Sequence, residues 1–219
     1  MLESTRAYAL EKLADAGERE LLAGCHLRYL RDYFADLRER FERTARHTEL
    51  EDGLATELED VRSALNGALS RPDLLGGGEL LATISTSWKS IGYCTEGIAW
   101  LERYLAANFG NASLLARLST ALSLLLVDSG LGKRALEIAT QAVAHARVAG
   151  EGSTLAAALD YYSYGAASLG MFDEAETAIA EAEAIPRASA PRRLALLQSR
   201  AVHAGRMRAI DCGRGGAHA

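Results

Sequence analysis

Proline is scarce in this chain, three residues in 219 (Pro72, Pro186 and Pro191), so helices meet few obligatory breaks. Aromatics make up only 6%; with Ala and Leu dominant, that shortage argues against a β-sandwich or barrel and for helices. Cysteine is as sparse. Cys25, Cys94 and Cys212 stand far apart, which gives neither a disulfide framework nor metal-ligand spacing and fits a reducing cytoplasm. No apolar run approaches the roughly 18 residues needed to cross a bilayer; the longest, 122–127, is about a turn and a half. The first residues include Glu3 and Glu11 and lack the basic-then-apolar order of a signal peptide. An excess of positive charge is also missing: the formal net charge is −5, so bulk electrostatics do not make the whole chain a nucleic-acid binder.

What is present is 49% hydrophobic and 24% charged residues, an ordinary balance for a globular chain with a real core. Charge is unevenly spread. Residues 1–70 hold 10 basic and 15 acidic side chains, residues 71–185 hold 7 and 13, and residues 186–219 hold 7 arginines against Asp211 alone. The pattern is an acidic helical body with a short basic tail.

The first third reads as three helices. One covers residues 2–15 and ends at Gly17, where a left-handed residue is wanted. The next covers about 18–46, with Leu22, Cys25, Tyr29, Leu30, Tyr33, Phe34, Leu37 and Phe41 stepping by three and four into one stripe. The third opens at Thr48-Glu49-Leu50-Glu51, which has capping-box spacing, and carries Leu54, Leu58, Val61, Leu65 and Leu69 until Arg71-Pro72-Asp73. Gly76-Gly77-Gly78 then reads as a flexible joint.

Beyond it the chain repeats. Gly92, Gly130 and Gly170 lie 38 and 40 residues apart; Ser85, Ser123 and Ser163 stand seven before them, and Gly97, Ala135 and Ala175 five after. Small residues at matched points let two helices approach closely, and the glycine permits the turn between them. Each unit is a helical hairpin that cannot bury its own apolar face, so neighbours must stack. In the third copy, Phe172 is placed to pack under the turn and Asp173 to cap the second helix. Trp88 and Trp100 read as core residues at helix contacts.

Gly170-Met171-Phe172-Asp173-Glu174-Ala175 resembles the turn of the tetratricopeptide repeat, Gly-x-(Tyr/Phe)-x-x-Ala. The match weakens at Gly130–Ala135 and is degenerate after Gly92, where Cys94 and Gly97 replace the aromatic and the alanine. The spacing exceeds the usual 34 and predicts longer loops, such as 148–153. A second resemblance covers residues 1 to about 185. The stretch 1–13 (MLESTRAYALEKL), with 58–65 (LEDVRSAL) and 96–105 (EGIAWLERYL), resembles bacterial signal-transduction ATPases with numerous domains, in which helical repeats follow an ATPase module and a winged helix. That resemblance implies the sensor arm of such a regulator without its motor, as a fragment or a shortened relative.

The chemistry of an enzyme is not spelled out. The nearest approach to a phosphate loop, residues 127–134 (VDSGLGKR), has Val127 in place of the first glycine and Arg134 in place of the hydroxyl. Cys25 and His26, adjacent on a helix, point about 100° apart, and His47, His145, His203 and His218 have no ligand spacing. Asp173, Glu174 and Glu176 read as acids favoured at a helix N-terminus. The expectation is no enzyme, no cofactor and no metal.

The binding surface expected from the repeat resemblance is the inner face made by the first helix of each hairpin: Glu79, Ala82, Thr86 and Lys89; then Arg117, Thr120, Leu124 and Asp128; then Ala157, Asp160 and Tyr164. Its partner would be a protein, a peptide or a small effector, with no nucleic acid and no membrane. At the end, residues 191–204 read as one more helix and Gly205 as the turn of an unfinished fourth repeat. That leaves an uncovered face, self-association through it, and early trypsin cleavage after Arg206 or Arg208 as expectations.

The sequence thus predicts an all-α chain: an N-terminal helical segment over 1–75, three tetratricopeptide-like hairpins over 76–190 in a right-handed α-solenoid, and an incomplete repeat with a basic tail over 191–219. The expected function is a cytoplasmic, non-enzymatic interaction and sensor module of a bacterial ATPase-type transcriptional or signalling regulator. The alternative is a free-standing adaptor that binds a peptide or protein.

Overall fold

The computed structural model describes residues 3–44, 48–70, 73–107 and 110–186. Among these residues all regular structure is helical, and they form two compact units that divide after Ile84. The expectations placed on residues 191–219, including the fourth repeat and the tryptic sites, lie outside the described residues.

The first unit holds α1 (Glu3–Asp15), α2 (Arg19–Thr44), α3 (Thr48–Thr56), α4 (Leu58–Leu69) and α5 (Leu74–Ile84). Gly17 takes the left-handed conformation, φ 69°, as the stop after α1 requires. On α2 the buried stripe is Leu27, Leu30, Phe34 and Leu37, whereas Leu22, Cys25 and Tyr29 are exposed. The apolar set read from sequence is wider than the face its neighbours cover. Leu50 and Leu54 of α3, Val61 and Leu65 of α4, and Leu80, Leu81 and Ile84 of α5 complete the core.

Two expectations fail here. The helix read as continuous from Thr48 to Leu69 breaks at Glu57, whose backbone (φ −95°, ψ 14°) leaves the helical region between α3 and α4. Gly76, Gly77 and Gly78 are no joint: all three are buried within α5. A glycine interior costs a helix up to about 1 kcal/mol per residue relative to alanine. The absence of side chains is what lets α5 lie close, because a Cβ on Gly76 would stand 2.8 Å from Asp73 Oδ1 and 3.4 Å from a methyl of Leu27. The Arg38 guanidinium donates to the main-chain oxygen of Thr83, and Arg31 pairs with Glu79 at 3.3 Å, tying α2 to α5.

The second unit holds α6 (Ser87–Ser90), α7 (Cys94–Ala106), α8 (Ala112–Asp128), α9 (Gly132–Ala149), α10 (Gly152–Ser168) and α11 (Phe172–Ala184). The three register glycines all have positive φ, 83°, 79° and 82°. Around each the backbone closes identically. Tyr93, Leu131 and Met171 donate to the oxygens of Trp88, Leu126 and Ala166, while Gly92, Gly130 and Gly170 donate to those of Lys89, Val127 and Ala167. This is the Schellman arrangement, which satisfies two orphan carbonyls at the end of the first helix of each hairpin.

Both tryptophans are buried, as are Gly97, Ala135 and Ala175, the small residues that follow the turns. Ser123 donates to the oxygen of Ala135 across the α8–α9 hairpin at 3.0 Å. The centre of the unit is alanine-rich: Ala142, Ala146, Ala158, Ala178 and Ala182 pack with Val143 and Leu159. Helix α8 is buried on nearly every side, its polar residues Ser119, Thr120 and Ser123 included.

Three local expectations are corrected. The first copy lacks a full first helix, since the chain turns at Ser85 and Thr86 and only the four-residue α6 follows. The long spacing is not absorbed by the loop at 148–153: α8, α9 and α10 run 17, 18 and 17 residues, and Gly150 (φ 70°) with Glu151 makes the whole connection. Asp173 caps nothing; the cap position of α11 is Met171, with no side-chain cap bond.

Candidate functional site

In the second unit the first helices α6, α8 and α10 each bring polar side chains forward from an otherwise apolar sequence. Lys89 of α6 meets Asp128, the last residue of α8, with Nζ 2.8 Å from Oδ2. The hydrogen bond that Lys89 donates to Asp128 raises the lysine pKa; burial opposes it, and the neighbouring Asp128, Tyr164 and Cys94 add to the rise. Lys89, Asp128 and Tyr164, chosen from sequence as separate inner-face positions, therefore share one neighbourhood. Sequence reasoning missed two members of it. Cys94, the first residue of α7, has Sγ 3.4 Å from Ser129 Oγ and 3.9 Å from the oxygen of Leu125. Only the turn geometry at Gly92 and Gly130 sets these side by side.

A second polar station lies further back along α8, at Arg117 and Ser113, about 16 and 22 Å from Asp128 at the helical rise. Glu151, the residue before α10, accepts from Ser113 Oγ at 2.7 Å and from Thr154 Oγ1 at 2.9 Å. The bonds from Ser113 and then Thr154 lower its pKa, and the charge of Arg117 contributes in the same direction. Arg117 is exposed. Ser113 and Glu151 were not singled out from sequence; an acid following a left-handed glycine at the entry of a helix is the signal that marks them.

Between the stations Leu124 is half-buried, and Thr120 is buried with its hydroxyl donating to the Ala116 oxygen at 2.7 Å. Asp160 is only 1% exposed, and its main-chain oxygen accepts from Ser163 Oγ. Ala157 is half-buried, as is Thr86 in the turn before α6. Glu79 and Ala82 belong to the first unit, where Glu79 is engaged by Arg31.

The other sequence candidates are dispersed. Cys25 accepts from the Arg28 guanidinium on the exposed side of α2. Residues 127–134 run from the end of α8 through the turn at Gly130 into α9, with no strand leading into the glycines as a phosphate loop requires. Among the described residues no group of three or more His, Cys, Asp or Glu side chains could hold a metal ion, and no helix is long and apolar enough to cross a membrane. The arrangement offers hydrogen bonds and an ion pair along the first helices.

Comparison with known proteins gives two kinds of likeness. No protein-family model matches the sequence. Proteins carrying the name HTH-type transcriptional regulator, from Mycobacterium bovis and from two strains of Mycobacterium tuberculosis, are 29% identical over 107 residues. That stretch is 48% of this chain and 12% of each relative's length. Among solved structures, the nearly identical TPR-like repeats of a Podosopora anserina protein assigned as a kinesin light chain superpose with a TM-score of 0.53 at 17% identity, covering 84% of this chain and 90% of that one. The fold is that of tetratricopeptide-like helical hairpins, an α-solenoid architecture.

Proposed function

We propose that this chain is a non-catalytic interaction and sensor module of a bacterial transcriptional or signalling regulator of the ATPase type, working in the cytoplasm. It receives a protein, a peptide or a small effector on the first-helix residues of its hairpins. The Lys89–Asp128 pair carries the reading, because it joins polar side chains of two first helices and lies within electrostatic reach of Tyr164 on the third. The likeness in name and sequence to HTH-type regulators supports the regulatory context. Arg117 with Glu151, and the half-buried Leu124 between the stations, extend the surface along α8.

Exposed charges of this kind set the register and orientation of a partner more than its raw affinity. The test is a reporter gene under the regulator's promoter, with Lys89→Glu and Arg117→Glu introduced together into the intact regulator. Regulated output should be lost while the melting temperature and ATP affinity of the regulator stay as in the parent. Unchanged output would refute the assignment. The DNA before the Met1 codon separates the two contexts: an in-frame phosphate loop and winged helix there support the regulator, and an independent promoter supports a free-standing adaptor.

A further inference from the structure

Between the second helices α9 and α11 lies a groove of about 600 Å³, within the size range of clefts that hold ligands. Its floor is apolar and drawn from three helices: Val143 of α9, Leu159 and Tyr162 of α10, and Ala178 of α11. Val143, Leu159 and Ala178 belong to the buried alanine-rich cluster, and Tyr162 packs against them while remaining partly exposed. The floor is therefore continuous with the core.

The rim is acidic. Glu181 closes one end by accepting two bonds of 3.0 Å from the Arg147 guanidinium, which leaves that end neutral. Asp173 and Glu174 line the groove from the first turn of α11, about 12 Å away along the helix. Neither carboxylate has an ion-pair partner among the described residues. The positive end of α11 favours acids in its first turn, which accounts for the two charges and not for the apolar-floored groove beside them.

We propose that this groove docks a short basic amphipathic helix of a partner protein. Its apolar side chains lie on Tyr162, Leu159, Val143 and Ala178, and an arginine or lysine near one end pairs with Asp173 and Glu174. Charge complementarity selects this occupant: an acidic helix would set like charges together, and a neutral one would cover two carboxylates without pairing them. The span from Asp173 to Glu181 matches about two helical turns, enough for anchors at i, i+4 and i+7. The groove is built mainly on second helices and shares no residue with the Lys89, Asp128 and Tyr164 row, so the two surfaces fail or succeed independently.

The experiment uses the full chain and a fluorescein-labelled helical peptide of leucine, alanine and arginine, followed by anisotropy. Saturable binding should weaken by about tenfold or more when Asp173→Lys and Glu174→Lys are combined, and should weaken as salt is raised. Lys89→Glu should leave it unchanged, and circular dichroism should show both variants equally helical. Peptides with glutamate for arginine, or serine for leucine, should not bind. Absence of saturable binding overturns the proposal, as does equal binding to the charge-reversed protein or equal binding of the serine peptide.

Discussion

Gly97 of α7 lies directly against Trp88: a Cβ built on the glycine would stand 2.7 Å from both Cβ and Cγ of the buried indole. The tryptophan Cβ is fixed by its own backbone, so no side-chain torsion can withdraw it. The glycine that replaces alanine in the first repeat is therefore a fit to a tryptophan. Gly97→Ala should destabilise the protein by about 1–3 kcal/mol, the usual range for forcing a methyl into a packed contact. Gly165→Ala, inside α10, is the control. Its added Cβ would meet nothing closer than 3.9 Å, and it should stabilise by about 0.5–1 kcal/mol through the unfolded chain. Thermal melts of both variants check the pair, and an equal or reversed order would show that Trp88 is seated otherwise.

The fully buried Ala135 and Ala175 mark the close crossings of the later hairpins. Ala135→Leu or Ala175→Leu should each cost about 1–3 kcal/mol by overpacking, read as a fall of several degrees in melting temperature. Because each repeat rests on its neighbours, amide exchange should also quicken in the adjoining helices. Melting within about a degree of the parent would contradict the crossing.

Glu151 gives the second unit a pH signature. Its folded-state pKa is lowered, first by the bond from Ser113 and then by that from Thr154. A lowered carboxylate contributes stability above its unfolded pKa and loses that contribution as pH falls through the folded value. Glu151→Gln should therefore lower the melting temperature at neutral pH, and the gap to the parent should close as pH drops below the ordinary carboxylate range. A gap independent of pH would assign the loss to packing.

Nucleotide binding should be absent from this chain on its own. Lys133 follows Gly132 at the start of α9, and Leu169 stands 3.0 Å from where a Cβ on Gly132 would be. The turn is therefore packed against α10's end and not open as a phosphate cradle. Calorimetry with Mg-ATP should show no heat of binding; micromolar affinity abolished by Lys133→Ala would overturn this.

The Lys89–Asp128 pair should be a positioning contact more than a stabilising one. Lys89 is 56% exposed, and pairs of this exposure are worth about 0.2–1 kcal/mol. A double-mutant cycle of Lys89→Met and Asp128→Asn should return a coupling in that range, and a larger one would mean the pair is closed off from solvent.

Sequence alone determined the local geometry. Stepping by three and four marked the helices, and a glycine at the end of each first helix marked a left-handed turn, because only glycine enters that conformation without steric cost. The serines seven residues before those glycines (Ser85, Ser123 and Ser163) were legible as close-packing positions and are all buried. Tertiary structure decided what depends on a neighbour. Gly76, Gly77 and Gly78 carry the composition of a linker, yet they are helix because packing against α2 outweighs weak propensity. Leu22 and Tyr29 fit the stripe and stay exposed because α2's partners cover a narrower face. The site shows the same division: the repeat spacing put Lys89, Asp128 and Tyr164 on first helices, and the resemblance to tetratricopeptide repeats singled out that face. The meeting of Lys89 with Asp128, with Cys94 and Ser129 beside them, was set by how α6, α7 and α8 pack, since side chains 39 residues apart in the chain come together only through packing.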